Sequence, residues 1–95
     1  MTVSILDRPI TRGKLWGAPY TWGQAIQNHA EASHNGCCRF IVTEAGIWLE
    51  GDDRTRSYRT KLPKGAEDHA RACIAAEQLV QSPRYPRLWI GPTYA

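Results

Sequence analysis

Hydrophobic and polar positions alternate most regularly over Cys38 to Thr43, where Phe40 and Val42 fall on one side and Arg39, Ile41 and Thr43 on the other. A period of two predicts a strand. The turn signal Glu44-Ala45-Gly46 follows, and the alternation resumes from Ile47 to Glu50. Gly51-Asp52-Asp53 reads as a second polar turn, and Thr55 to Leu62 as a third, strongly polar strand that stops before Pro63. Three strands with two short connections predict an antiparallel meander.

Helical spacing flanks the meander on both sides. Thr21 has Gln24 three residues later, the capping-box arrangement, and predicts a helix from Thr21 to about Ala32. Trp22, Ala25, Ile26 and Ala30 form its narrow apolar stripe, and Ser33-His34-Asn35-Gly36 supplies the stop. Gly65 to Gln81 reads as the longer helix, with Glu67 and Asp68 placed favourably in the first turn and Ala70, Ala72, Cys73, Ile74, Ala75, Ala76, Leu79 and Val80 as its apolar content. Ser82-Pro83 ends it. Thr2 to Leu6 reads as a short edge strand. Thr11 to Tyr20 reads as a loop pinned by Leu15, Trp16 and Tyr20, and Arg87 to Ile90 as a final strand or a segment along the core. The fold class is therefore α+β, a three-stranded antiparallel meander, extended by short terminal strands, packed against two helices.

Composition narrows the setting. Ninety-five residues at 10.7 kDa make a single domain, residues 1–95, because separate cores arise only in much longer chains. No apolar run approaches the ~20 residues that span a bilayer, so no membrane role is expected. The segment from Met1 to Ile10 carries Asp7 and Arg8 after a short apolar stretch and lacks the pattern of a secretory signal, which points to a cytoplasmic chain. Three cysteines, two of them the neighbours Cys37 and Cys38, do not suit a disulfide framework and fit reduced thiols in a cytosol.

The net charge is +3, and nine of the twelve cations are Arg. Arg suits bidentate and stacked contacts to carboxylate and phosphate. The period of two assigns Phe40, Val42, Ile47, Leu49, Tyr58, Thr60 and Leu62 to the helix-facing side of the sheet. Arg39, Ile41, Thr43, Trp48, Glu50, Ser57, Arg59 and Lys61 take the other side, with Arg54 and Arg56 at the adjoining hairpin end. A partner meeting that face encounters Arg39, Trp48, Arg54, Arg56, Arg59 and Lys61, residue types enriched at interface hot spots and in nucleic-acid sites. A solvated face, with Glu50, Asp52 and Asp53 neutralising the arginines locally, is the competing reading. Trp48 is the tryptophan expected to be exposed, the others serving as anchors.

Other chemistries find less support. His34 stands three residues before Cys37 and His69 four before Cys73, so each pair offers nitrogen and sulfur to one tetrahedral zinc. The spacing is not a finger pattern, and Cys73 is expected on a core face. His34 beside Cys37 or Cys38 also offers a base to a thiol, with no third group or oxyanion hole marked. Glu50, Asp52 and Asp53 lack calcium-loop spacing, and Gly13, Gly17 and Gly23 do not form a phosphate loop. No cofactor and no catalytic residue is expected.

The order helix, three strands, helix is similar to a double-stranded-RNA-binding domain, although Lys64-Gly65-Ala66-Glu67-Asp68 stands where that family places a lysine cluster. The run from Gly65 to Ala76 resembles the helix after the three-stranded sheet of plant ethylene-response-type factors, whose strand pattern of tryptophan and arginine is not found here. In overall character, a short α+β domain with Arg and Trp on a polar surface and no catalytic constellation, the chain resembles the small phage-encoded inhibitors of bacterial defence, the anti-CRISPR proteins. That resemblance implies a non-enzymatic binding protein that occludes a surface of a host protein or nucleoprotein effector. The alternatives are a nucleic-acid-binding domain using the Arg-rich sheet face, and a small zinc or thiol protein. Exposed strand edges admit a homodimer as well as a monomer.

Overall fold

The computed structural model describes residues 4–10, 21–52 and 57–95. Thr21 caps the first helix as its spacing predicts: the side chain accepts a hydrogen bond from the Gln24 N–H at 3.2 Å, and helix α1 runs Trp22–Ala32. A single 3-10 turn, Ser33–Asn35, ends at Gly36, whose left-handed φ of 81° turns the chain into strand β1, Cys38–Thr43. Strands β2, Gly46–Asp52, and β3, Ser57–Lys61, complete the meander. Helix α2, Glu67–Ala76, is followed by two short strands, β4, Val80–Gln81, and β5, Leu88–Ile90.

The strands form one antiparallel sheet in the order β3-β2-β1-β5-β4. The expected three-stranded meander is its larger part, and the tail strand pairs on the free side of β1 through Phe40 with Trp89 and Ile41 with Leu88. The α+β class holds. Among the described residues no helix is long and apolar enough to cross a membrane.

Three expectations need correction. Ile5–Asp7 is a 3-10 turn rather than the end of an edge strand, because the Ser4 hydroxyl accepts from the Leu6 N–H at 3.2 Å and closes the segment on itself. Thr2 lies outside the described residues, as does the loop Thr11 to Tyr20. The second helix stops at Ala76 instead of Gln81. Gln78 takes a left-handed φ of 55°, and the Leu79 N–H bonds back to the Ile74 carbonyl at 3.0 Å, which turns Leu79 into the core and frees Val80 to pair with Ile90. Gly51 and Asp52 belong to β2 rather than to a turn, opposite Tyr58 and Ser57.

Both helices cover the face predicted for them. Phe40, Ile47 and Leu49 are fully buried there, against Ile26 and Ala30 of α1 and Ala70 and Ile74 of α2, with Leu62, Ala66 and Leu79 closing the cluster. Each of the large side chains contributes on the order of 1.5–3 kcal/mol of burial. Alanines at the helix contacts let α1 and α2 approach each other and the sheet. One polar ring joins this core: His29 of α1 is wholly buried, donates from Nε2 to the Arg39 carbonyl at 2.7 Å, and stands edge-on to Phe40 at 5.0 Å. Because a carbonyl only accepts, that bond fixes the proton on Nε2.

Candidate functional site

With the helices on one side, the register places the predicted contact residues together on the other. Arg39, Glu50 and Arg59 lie in one cross-strand row, and Ile41, Trp48 and Lys61 in the next. Arg54 and Arg56 fall outside the described residues.

The first row is an ion-paired ladder. Arg39 donates from Nε to Glu50 Oε1 at 2.7 Å and from both terminal nitrogens to Asp52 at 3.2–3.3 Å. Arg59 donates to the other Glu50 oxygen from Nε at 3.1 Å and Nη2 at 2.8 Å, and the Ser57 hydroxyl donates to Asp52 at 2.6 Å. Glu50 is thus a carboxylate shared by two guanidinium groups, with a side chain only 13% exposed. Burial opposes its charge, yet the hydrogen bonds from Arg39 and Arg59 outweigh burial and hold the carboxyl below its usual range. Arg39 is likewise penalised by burial and restored by Glu50 and Asp52, which keep it firmly cationic. The local neutralisation weighed as the competing reading operates at Arg39 and Arg59.

The second row is apolar. Leu88 of β5 pairs with Ile41, Ile41 with Trp48, and Trp48 with Lys61, whose ammonium lies 5.2 Å from the centre of the indole. Trp48 is half-buried under that contact rather than freely exposed, and among the described residues the large exposed apolar side chains are Tyr85 and Tyr94 instead. Trp22 and Trp89 pack against the core as anchors, and Trp16 lies outside the described residues. By the same alternation Ile90 and its partner Val80 lie on this face as well, in the row that continues from Arg39 toward the β4 edge. Around the β1–β2 turn, an open cavity of about 910 Å³ is lined by Thr43, Glu44, Trp48, Arg71 and Arg87 among others.

Leu88, Arg71 and Arg87 were not among the predicted contact residues. Leu88 and Arg87 are placed by β5 pairing with β1 from far along the chain, and Arg71 by the packing of α2, neither of which a local pattern encodes. His29 was also missed, although it stands four residues after Ala25 and three after Ile26, within the helical stripe.

The two His and Cys pairs do not converge. His34 donates to Glu77 at 3.1 Å, His69 donates to the Gly23 carbonyl at 3.3 Å and touches Cys73 at 3.6 Å, and Cys37 lies against Cys38. Among the described residues no group of three or more His, Cys, Asp or Glu could hold a metal ion. Glu50 and Asp52 are committed to arginines and Ser57, and Asp53 lies outside the described residues.

The arrangement offers an indole and aliphatic stripe beside a rigid, charge-balanced Arg-Glu-Arg ladder. Such a surface suits a flat protein contact, where guanidinium planes already held in place lose little entropy on docking. No protein-family model matches the chain, and no curated protein or solved structure is significantly similar to it.

Proposed function

We propose that the chain is a small non-enzymatic binding protein whose contact surface is the sheet face turned away from the helices. The observation that carries this reading is the Leu88, Ile41, Trp48 row flanked by the Arg39, Glu50, Arg59 ladder. An aromatic and aliphatic centre with a satisfied polar border is the usual anatomy of a protein interface. The likeness in character to phage-encoded inhibitors extends the reading to a partner, a host nucleoprotein effector, and to a mechanism, steric occlusion of the surface that effector uses.

The charge arrangement favours a protein over a nucleic-acid strand at this face. A phosphate approaching Arg39 or Arg59 meets the Glu50 and Asp52 carboxylates at hydrogen-bond distance from the same guanidinium groups, so attraction and repulsion arrive together. Tagged protein exposed to bacterial lysate, with and without nuclease, tests the reading when wild type is compared with Trp48→Ala. The expected result is a stoichiometric partner that survives nuclease and is lost from the variant, which keeps its melting behaviour because Trp48 lies off the core. Truncating such an anchor weakens binding by about 30-fold or more. Recovery of nucleic acid only, or loss of every partner after nuclease, overturns the proposal in favour of the nucleic-acid-binding alternative.

A further inference from the structure

Cys37 and Cys38 lie at the corner where α1, its terminal 3-10 turn and β1 meet. Neighbouring side chains inside a strand point to opposite faces, but Cys37 precedes β1, just after the left-handed Gly36, and is released from that alternation. The two sulfurs consequently converge to 3.8 Å. Cys37 is exposed, and Cys38 is buried at 5%.

The inner sulfur is held by a built pocket. Cys38, Gly51 and Tyr58 occupy one cross-strand row, and the Tyr58 ring lies across Gly51, where a Cβ would collide with its phenol oxygen. That path brings the phenol to 3.7 Å from Cys38 Sγ, with the His29 ring edge-on behind it. Burial pushes the Cys38 thiol up to about 11, so this inner sulfur keeps its hydrogen at neutral pH.

A direct bond between the two sulfurs fits poorly. It requires them to close from 3.8 Å to about 2.05 Å, between Cα atoms about 3.8 Å apart where disulfides prefer about 5.5 Å. A bridging atom fits better: two bonds of about 2.3 Å, the length of a zinc–thiolate bond, reach across at most about 4.6 Å, so one atom can bond both sulfurs from the 3.8 Å separation with only a small turn of the side chains. No third His, Cys, Asp or Glu joins the pair among the described residues, so a zinc ion needing four ligands is not satisfied. The centre that matches is one that needs two sulfurs and carries its remaining substituent itself.

We propose that Cys37 and Cys38 form a dithiol site for trivalent arsenicals of the type R–As=O. Two S–H bonds break, two As–S bonds form, and the arsenic oxygen leaves as water with both thiol protons; arsenic remains trivalent and no electrons are exchanged. Cys37 engages first because it is exposed, and Cys38 closes the ring by turning from Tyr58.

Phenylarsine oxide added to the reduced, full-length folded protein and followed by native mass spectrometry tests this. The expected adduct is one phenylarsenic per monomer with loss of one water, resistant to excess monothiol and reversed by a 1,2-dithiol. Cys73→Ser retains it, whereas Cys37→Ser, at an exposed position that leaves the fold intact, weakens it by about 100-fold or more as the second, tethered bond is lost. A wild-type chain that takes up no arsenical, or a Cys37→Ser chain that holds it as tightly as wild type, overturns the proposal. Neither outcome bears on the sheet-face reading, which uses other residues.

Discussion

His29 places a titratable ring where water does not reach, and its consequence is pH dependence. Burial lowers its pKa to about 4 from 6.5, against the partial support of the Arg39 carbonyl. Between those values the unfolded chain binds a proton that the folded chain does not, so stability is complete above about pH 6.5 and is lost as pH falls toward about 4. The full difference is about 3 kcal/mol. The carboxyl of Glu50 acts in the same direction, but only below its ordinary 4.5, so the slope from pH 6.5 to 4.5 belongs to the histidine. Urea midpoints measured at pH 7 and pH 4.5 are expected to fall accordingly in wild type. The slope is expected to flatten in His29→Gln, whose amide can still donate to Arg39; an unchanged slope would remove His29 as the cause.

At the scale of elements, the sheet is held on its polar face by shared carboxylates. Glu50→Ala removes the acceptor for two guanidinium groups on the two strands that flank β2 and leaves Arg39 and Arg59 as like charges in one row. The loss is expected to be about 1.5–3 kcal/mol, because Arg39 and Glu50 are largely shielded from water. Arg59→Ala, whose side chain is 64% exposed, is expected to cost less than about 1 kcal/mol. Chemical denaturation of the two variants checks the order, and equal losses would contradict it.

The same elements explain what the sequence could disclose. Strand β1 and the cap of α1 were legible residue by residue because each rests on local physics, alternation in one and a hydroxyl three positions before its donor in the other. The end of α2 was not, since Leu79 and Val80 continue the apolar spacing and the stop lies in the backbone of Gln78, a residue that carries no turn signal. The face holding Arg39, Trp48, Arg59 and Lys61 followed from the period of two alone. The ion pairs that neutralise it depend on strand register, and the Leu88 and Ile90 extension depends on a pairing between distant segments.

For the molecule as a whole, a net charge of +3 coexists with a contact face whose described arginines, Arg39 and Arg59, are already compensated. A partner held through the Leu88, Ile41, Trp48 row therefore releases few counterions. Its affinity is expected to change less than about tenfold between 50 and 200 mM salt, whereas six to ten phosphate contacts would cost about 10³–10⁵. A titration over that range decides between them, and a steep fall would reassign the face to nucleic acid.

Strand β1 occupies the middle of the sheet, yet its two neighbours reach it by different routes. Strand β2 follows after a two-residue turn, while β5 arrives from about half the chain's length away. During synthesis the hairpins can zip as soon as residue 61 is free, leaving one side of β1 with unpaired backbone groups and Trp89 absent from the core. Commitment to the native state thus waits on the emergence of Leu88–Ile90, and for that interval the nascent chain carries an open strand that any passing β-segment can occupy.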